Sequence, residues 1–209
     1  MQGLYLVTDR GSCGKKSLED VVLQAVKGGV AYVQLREKEV STRFFVEEAK
    51  RIKSILQPFK VPLIINDRID VALACNAEGV HIGQDDMSYE TARKLMGKNA
   101  IIGLSVERWE DVEASQELDV NYIGVSPVFT TPTKTDTKSS WGIEGVARIK
   151  AFSLHPLVAI GGLNESNIRD VVMAGAPCIA VVSAICASDD PEAAARKLCA
   201  IINSVNRKK

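Results

Sequence analysis

Eight short apolar runs recur along the chain, separated by stretches of mixed polarity. They are Leu4-Tyr5-Leu6-Val7, Ala31-Tyr32-Val33-Gln34-Leu35, Leu63-Ile64-Ile65, Val80-His81-Ile82, Ile101-Ile102-Gly103-Leu104, Tyr122-Ile123-Gly124-Val125, Leu157-Val158-Ala159-Ile160 and Ile179-Ala180-Val181-Val182. Each is short and apolar at consecutive positions, the pattern of parallel strands covered on both faces.

Helical spacing fills the intervals. Ser17 is the N-cap expected before Leu18, Val21, Val22, Ala25 and Val26, with Asp20 three residues on and Gly28-Gly29 as the stop. Phe45, Ala49, Ile52 and Leu56 form a stripe after Ser41. Asn164 is expected to cap a helix carrying Ile168, Val171 and Val172. Asp190-Pro191 opens a last helix expected to bury Ala194, Leu198, Ile201, Ile202 and Val205. Eight strands alternating with helices predict a single-domain (β/α)8 TIM barrel over residues 1–209. The competing open doubly wound sheet would carry a G-x-G-x-x-G turn, which this sequence lacks.

Composition narrows the partners. Lysine plus arginine is 26 and aspartate plus glutamate is 26, so no net field gathers nucleic acid. No apolar run has membrane-spanning length and the N-terminus lacks a signal-peptide pattern, which predicts a cytoplasmic protein. The five cysteines have no C-x-x-C spacing and read as small buried hydrophobes rather than disulfide or zinc ligands.

In such a barrel, chemistry sits at the C-terminal strand ends. There the sequence places Thr8-Asp9-Arg10, Gln34 with Arg36-Glu37-Lys38, Asn66-Asp67-Arg68, Gln84-Asp85-Asp86, Ser105, Ser126, Gly161-Gly162 and Ser183. Asp67 and Asp86 would end adjacent strands roughly 5 Å apart, where two carboxylates call for a proton or a cation between them. Mg2+ suits two carboxylates completed by water and phosphate oxygens. Arg36 and Lys38 beside it would complete a diphosphate pocket. Gly161-Gly162 and the Val182-Ser183 helix start offer backbone N–H groups for a second phosphate. His81, inside an apolar strand, reads as a packed core histidine. Trp109 and Trp141 read as packing residues. Between positions 130 and 138 the chain holds five threonines and two lysines, a composition that fits either a solvated connection or a phosphate grip.

Six motifs fall in chain order: Val33-Gln34-Leu35-Arg36-Glu37-Lys38, Ile65-Asn66-Asp67-Arg68, Gly79-Val80-His81-Ile82-Gly83-Gln84-Asp85-Asp86, Gly103-Leu104-Ser105-Val106, Pro132-Thr133-Lys134 and Ala159-Ile160-Gly161-Gly162. Together they resemble the thiamine phosphate synthase family. The resemblance implies a transferase that couples a hydroxymethylpyrimidine diphosphate to a thiazole phosphate and releases pyrophosphate. It implies Gln34, Arg36, Glu37, Lys38 and Asn66 on the pyrimidine diphosphate, Ser105 on the pyrimidine, and Asp67 and Asp86 on Mg2+. Thr131 and Thr133 would hold the thiazole phosphate with Gly162, Val182 and Ser183, while Lys134 would reach the diphosphate. Arg36, Lys38, Lys134 and Ser105 are the expected catalytic set. The alternatives are a thiazole tautomerase on the same barrel and a non-catalytic phosphate-binding barrel. Both would leave the aspartate pair and the cations without a use.

Overall fold

The computed structural model describes residues 1–130 and 140–207. Eight parallel strands close into a barrel in sequence order. They are β1 (Gly3–Val7), β2 (Tyr32–Leu35), β3 (Leu63–Asn66), β4 (Gly79–Ile82), β5 (Ile101–Val106), β6 (Tyr122–Val125), β7 (Leu157–Ala159) and β8 (Cys178–Val181). β1 pairs with β8 through Leu4 opposite Ile179, and that pairing closes the ring.

The helices form the outer layer. They are α1 (Leu18–Lys27), α2 (Thr42–Leu56), α3 (Ile69–Cys75), α4 (Tyr89–Met96), α5 (Trp109–Ser115), α6 (Gly142–Phe152), α7 (Ile168–Met173), α8 (Ser183–Cys186) and α9 (Pro191–Asn206). Ser17 caps α1 by accepting from the Asp20 N–H, Ser41 caps α2 through the Phe44 N–H, and Asp190 caps α9 through the Ala193 N–H. Each such cap contributes about 1 kcal/mol. Among the described residues, no helix is long and apolar enough to cross a membrane.

Two expected boundaries move. Asn164 does not cap α7, because its Oδ1 accepts from the Ser166 N–H in a tight turn. The helix begins three residues later, with Asn167 at the N-cap position. In α9 Leu198, Ile202 and Val205 are buried as expected, but the buried alanine is Ala195 rather than Ala194 and Ile201 is only partly buried, so the buried stripe is narrower than expected.

Two layers of core result. The layer between strands and helices is mostly apolar, with Leu4, Leu6, Val33, Ile65 and Ile123 fully buried, although Glu48 of α2 and Ser115 of α5 are buried as well. Inside the barrel, alternate residues meet as Tyr5, Val7, Ile64, Tyr122, Val158, Cys178 and Ala180. That inner cluster carries two phenols and forms the floor of the cavity above it. Cys13, Cys75, Cys178 and Cys186 are buried free thiols and Cys199 is half-buried.

Candidate active site

A cavity of about 890 Å³ opens at the C-terminal ends of the strands. One rim is charged. Gln34 is the penultimate residue of β2, and Arg36 and Lys38 follow in the next loop, all three lining the cavity. Asn66 is the last residue of β3, 7% exposed, and Asp67 follows it. Asp67 has a left-handed backbone at φ 62°, a conformation aspartate and asparagine tolerate better than most residues. Its N–H bonds to the His81 carbonyl at 2.8 Å, so β4 fixes the position of this turn. The Asp67 Oδ2 accepts from Lys38 Nζ at 2.7 Å.

Asp86 lies across from it on the loop after β4. Its Oδ2 accepts the Gly83 N–H at 2.7 Å. Burial raises its pKa above the ordinary carboxylate range; the Asp67 carboxylate beside it adds to the rise, while the Gly83 N–H and Lys38 oppose it. Among the described residues, no three His, Cys, Asp or Glu side chains gather to hold a metal. Two neighbouring carboxylates are nevertheless a fitting donor set for Mg2+, which keeps several waters and takes its other oxygens from phosphate. Carboxylate, water and phosphate oxygens suit such a hard divalent cation better than they suit metals that favour thiolate or imidazole.

The opposite rim is made of backbone. Gly161 and Gly162 follow β7 with φ of 104° and 65°. A Cβ on Gly162 would come within 2.9 Å of Phe129 Cβ and of the Thr130 carbonyl oxygen. The Phe129 N–H bonds to the Gly161 carbonyl at 3.0 Å, so the entry to the 130–140 segment lies against this turn. Val182 and Ser183 line the same side, with Ser183 opening the short α8.

Between the rims lies a polar floor. Gln34 Nε2 donates to the Tyr5 hydroxyl at 2.9 Å, and Tyr5 and Tyr122 hydroxyls are 3.0 Å apart. The Tyr122 hydroxyl meets His81 Nδ1 at 2.9 Å, and His81 Nε2 meets Ser105 Oγ at 2.9 Å. His81 is therefore not simply core: it is half-buried and lines the cavity. β5 extends past its expected end to Val106, so Ser105 is a strand residue pointing inward rather than the start of a loop.

The profile of the family described as thiamine monophosphate synthase matches residues 4–185. The chain is 54% identical over 202 residues to the thiamine-phosphate synthase of Albidiferax ferrireducens, covering 97% of this chain and 92% of that one. It is 53% identical over 198 residues to the thiamine-phosphate synthase of Leptospira biflexa, covering 93% and 94%. The solved thiamine phosphate pyrophosphorylase from Pyrococcus furiosus superposes with a TM-score of 0.90 at 34% identity, covering 98% of this chain and 96% of that one.

The chain belongs to the thiamine monophosphate synthase family. It is an enzyme of the transferase class, a thiamine-phosphate synthase acting on small molecules.

Ten of the residues singled out for synthase chemistry meet in one cavity: Gln34, Arg36, Lys38, Asn66, Asp67, Asp86, Ser105, Gly162, Val182 and Ser183. Thr131, Thr133 and Lys134 lie outside the described residues, as does the body of the threonine-rich segment. Glu37 is not among the lining residues. Its carboxylate accepts from Arg10 Nε at 3.1 Å, and Arg10 also pairs with the fully buried Glu48. Burial first, then Glu48, pushes the Glu37 carboxyl up to about 7 against the pull of Arg10. Side chains alternate along this loop, so Glu37 turns away where Arg36 and Lys38 turn in.

Several lining residues of the synthase cavity escaped the reading of strand ends. Tyr5, His81 and Tyr122 look like core positions in the sequence. Arg108 also lines the cavity from the loop after β5, with Asp111 Oδ1 at 3.3 Å from its guanidinium. An arginine just past a strand was the available signal. Buried Thr8 accepts the Arg36 N–H on Oγ1 at 3.0 Å, which ties the cationic loop to β1.

Proposed function

We propose that the enzyme joins an aminopyrimidine-methyl diphosphate to a thiazole phosphate at this cavity, with Mg2+ held by Asp67 and Asp86. The observation that carries this reading is the charged rim, where Arg36 and Lys38 stand beside the aspartate pair. Cations next to a metal-type carboxylate pair suit a diphosphate, with arginine as a planar clamp and lysine as a point charge.

The reaction breaks the bond between the pyrimidine methylene and the diphosphate oxygen. It forms a bond from that methylene to the thiazole nitrogen. The attacking electron pair belongs to the thiazole and the leaving pair departs on pyrophosphate, so the protein needs neither nucleophile nor strong base. Electron donation from the aminopyrimidine ring stabilises the methylene cation as the leaving group departs. When bound, Mg2+ would supply positive charge to the departing diphosphate. Arg36 and Lys38 supply preorganised charge at the same place. Asn66 and Gln34, nearly buried at the strand ends, orient the pyrimidine half, and Ser105 contacts its ring. Gly162, Val182 and Ser183 hold the thiazole phosphate on the other rim. Thr131 and Thr133 would join them, and Lys134 would serve the diphosphate.

The tautomerase and binding-protein readings leave the carboxylate pair and its cations unexplained. The test is a coupled pyrophosphate-release assay with each substrate alone and both together, with and without Mg2+. Release that requires both substrates and the metal is the expected result. Release without the metal would remove Asp67 and Asp86 from the metal role, and no release from the folded protein would overturn the synthase reading of the cavity.

A further inference from the structure

We infer that Tyr5, Tyr122 and His81 form a hydrogen-bond chain that gives Gln34 and Ser105 opposite polarity, so that the floor presents one donor and one acceptor to the bound ring. The inference rests on the proposed placement of the aminopyrimidine over this floor.

The chain has five members and four links, all between 2.9 and 3.0 Å. Each phenol has one proton to donate, and a neutral imidazole has one N–H and one lone pair. Burial raises the pKa of both Tyr5 and Tyr122 above the ordinary phenol value, so both keep their protons. Suppose Gln34 donates to Tyr5. Tyr5 then donates to Tyr122 and Tyr122 to His81 Nδ1. The histidine proton lies on Nε2 and goes to Ser105 Oγ. Ser105 is left to offer its own O–H to the cavity, while Gln34 offers its carbonyl. Reverse the chain and every link reverses. Tyr5 then donates to the Gln34 carbonyl, Gln34 turns its NH2 to the cavity, and Ser105 offers a lone pair. In both directions one end donates and the other accepts. With a neutral imidazole, a mixed state would set two donors or two acceptors face to face along the chain, at greatest cost between the buried phenols.

The barrel wall is cut to fit this chain. A Cβ at Gly103 would lie 2.0 Å from Tyr122 Cζ, and one at Gly124 would lie 3.0 Å from His81 Cε1. Glycine at both positions makes room for the phenol and the imidazole. A ring that carries an amino group on one side and an unprotonated ring nitrogen on another matches such a floor. A ring with acceptors on both sides does not. Tyr5, Tyr122 and His81 are thus positioning residues that act through Gln34 and Ser105.

Tyr122→Phe removes the central hydroxyl and keeps the ring that fills the barrel. Steady-state kinetics on wild type, Tyr122→Phe, Ser105→Ala and the double variant would test the chain, each with a thermal melt to confirm folding. Tyr122→Phe is expected to raise KM for the pyrimidine diphosphate roughly tenfold and to leave KM for the thiazole phosphate unchanged. It should also narrow the preference for the amino substrate over an analogue bearing methoxy in place of the amino group. In the double variant the two KM effects should be less than additive, because Ser105 is one end of the chain that Tyr122 controls. Equal shifts in both KM values, or fully additive effects with unchanged discrimination, would overturn the inference while leaving the synthase assignment intact. Absence of wild-type turnover would overturn both.

Discussion

The two rims of the cavity are built on different principles. Over β2 to β4 the work falls to charged side chains, with Lys38 on Asp67 at 2.7 Å and Asp86 beside them. Over β7 and β8 it falls to backbone, through Gly161 and Gly162 at φ of 104° and 65° and the turn into α8. A charged rim can be weakened by removing a charge while its shape is kept. A backbone rim can be weakened only by changing its shape. Substitutions on the two sides should therefore separate into chemical and steric effects.

The largest effect is expected on the charged side. Asparagine tolerates the left-handed backbone at Asp67 and can still meet Lys38, so Asp67→Asn removes charge with little strain. It is expected to lower kcat by roughly 10²–10³-fold and to leave the melting point near that of wild type. Asp67→Ala should lose the same activity and fold, but with about 1 kcal/mol of added left-handed strain. Normal Mg2+-dependent turnover in Asp67→Asn would sink the metal role.

Next comes Lys134, which is expected to bring charge to the leaving group. Lys134→Ala should lower kcat by roughly 10²-fold, as loss of a preorganised charge-stabilising donor does. An unchanged rate would reduce the threonine-rich segment to a connection.

On the backbone side, Gly162→Ala sets a Cβ 2.9 Å from Phe129 Cβ and the Thr130 carbonyl. The left-handed backbone adds about 1 kcal/mol of strain, which should appear as a melting point lower by a few degrees. KM for the thiazole phosphate should rise while KM for the pyrimidine diphosphate holds. A rise in both, or only in the pyrimidine value, would mean that the rims do not divide the substrates as proposed.

The same contrast explains what was legible in the sequence. Parallel strands buried on both faces announce themselves as apolar runs, and the ends of those runs located nearly every charged group of the site. The charges of Arg36, Lys38, Asp67 and Asp86 have no use in a core, so their position past a strand was informative. Tyr5, His81 and Tyr122 gave no such signal. A tyrosine among Leu4, Leu6 and Val7 has the same pattern whether it packs on a helix or points into the barrel. Only the register, with Tyr5 opposite Tyr32 and Ala180, places its hydroxyl against Tyr122. Asn164 and Asn167 are both good caps by type, yet neither side chain caps α7: Asn164 Oδ1 accepts the Ser166 N–H, and Asn167 Nδ2 donates to the Gly162 carbonyl at 2.9 Å. Glu37 lies off the cavity lining for a simpler reason: a motif names consecutive residues, whereas alternate residues in an extended loop face opposite ways.

That alternation sets the smallest prediction, which concerns stability rather than chemistry. Glu37 sits behind the charged rim with its carboxyl pushed up to about 7 by burial and by Glu48. In the unfolded chain a glutamate titrates at about 4.3. The folded protein therefore holds a proton that the unfolded chain has released across that interval. The stability from this proton is fully present below about pH 4 and is lost as pH rises through about 7. Glu37→Gln keeps the shape of the neutral acid and cannot ionise. Its melting point relative to wild type is expected to climb between about pH 5 and pH 8 and to level off above that. Parallel melting curves would show that the Glu37 carboxyl titrates alike in the folded and unfolded chains. Because Glu37 is turned away from the cavity, KM for both substrates should stay at the wild-type value, and a selective rise for the pyrimidine diphosphate would return Glu37 to the charged rim.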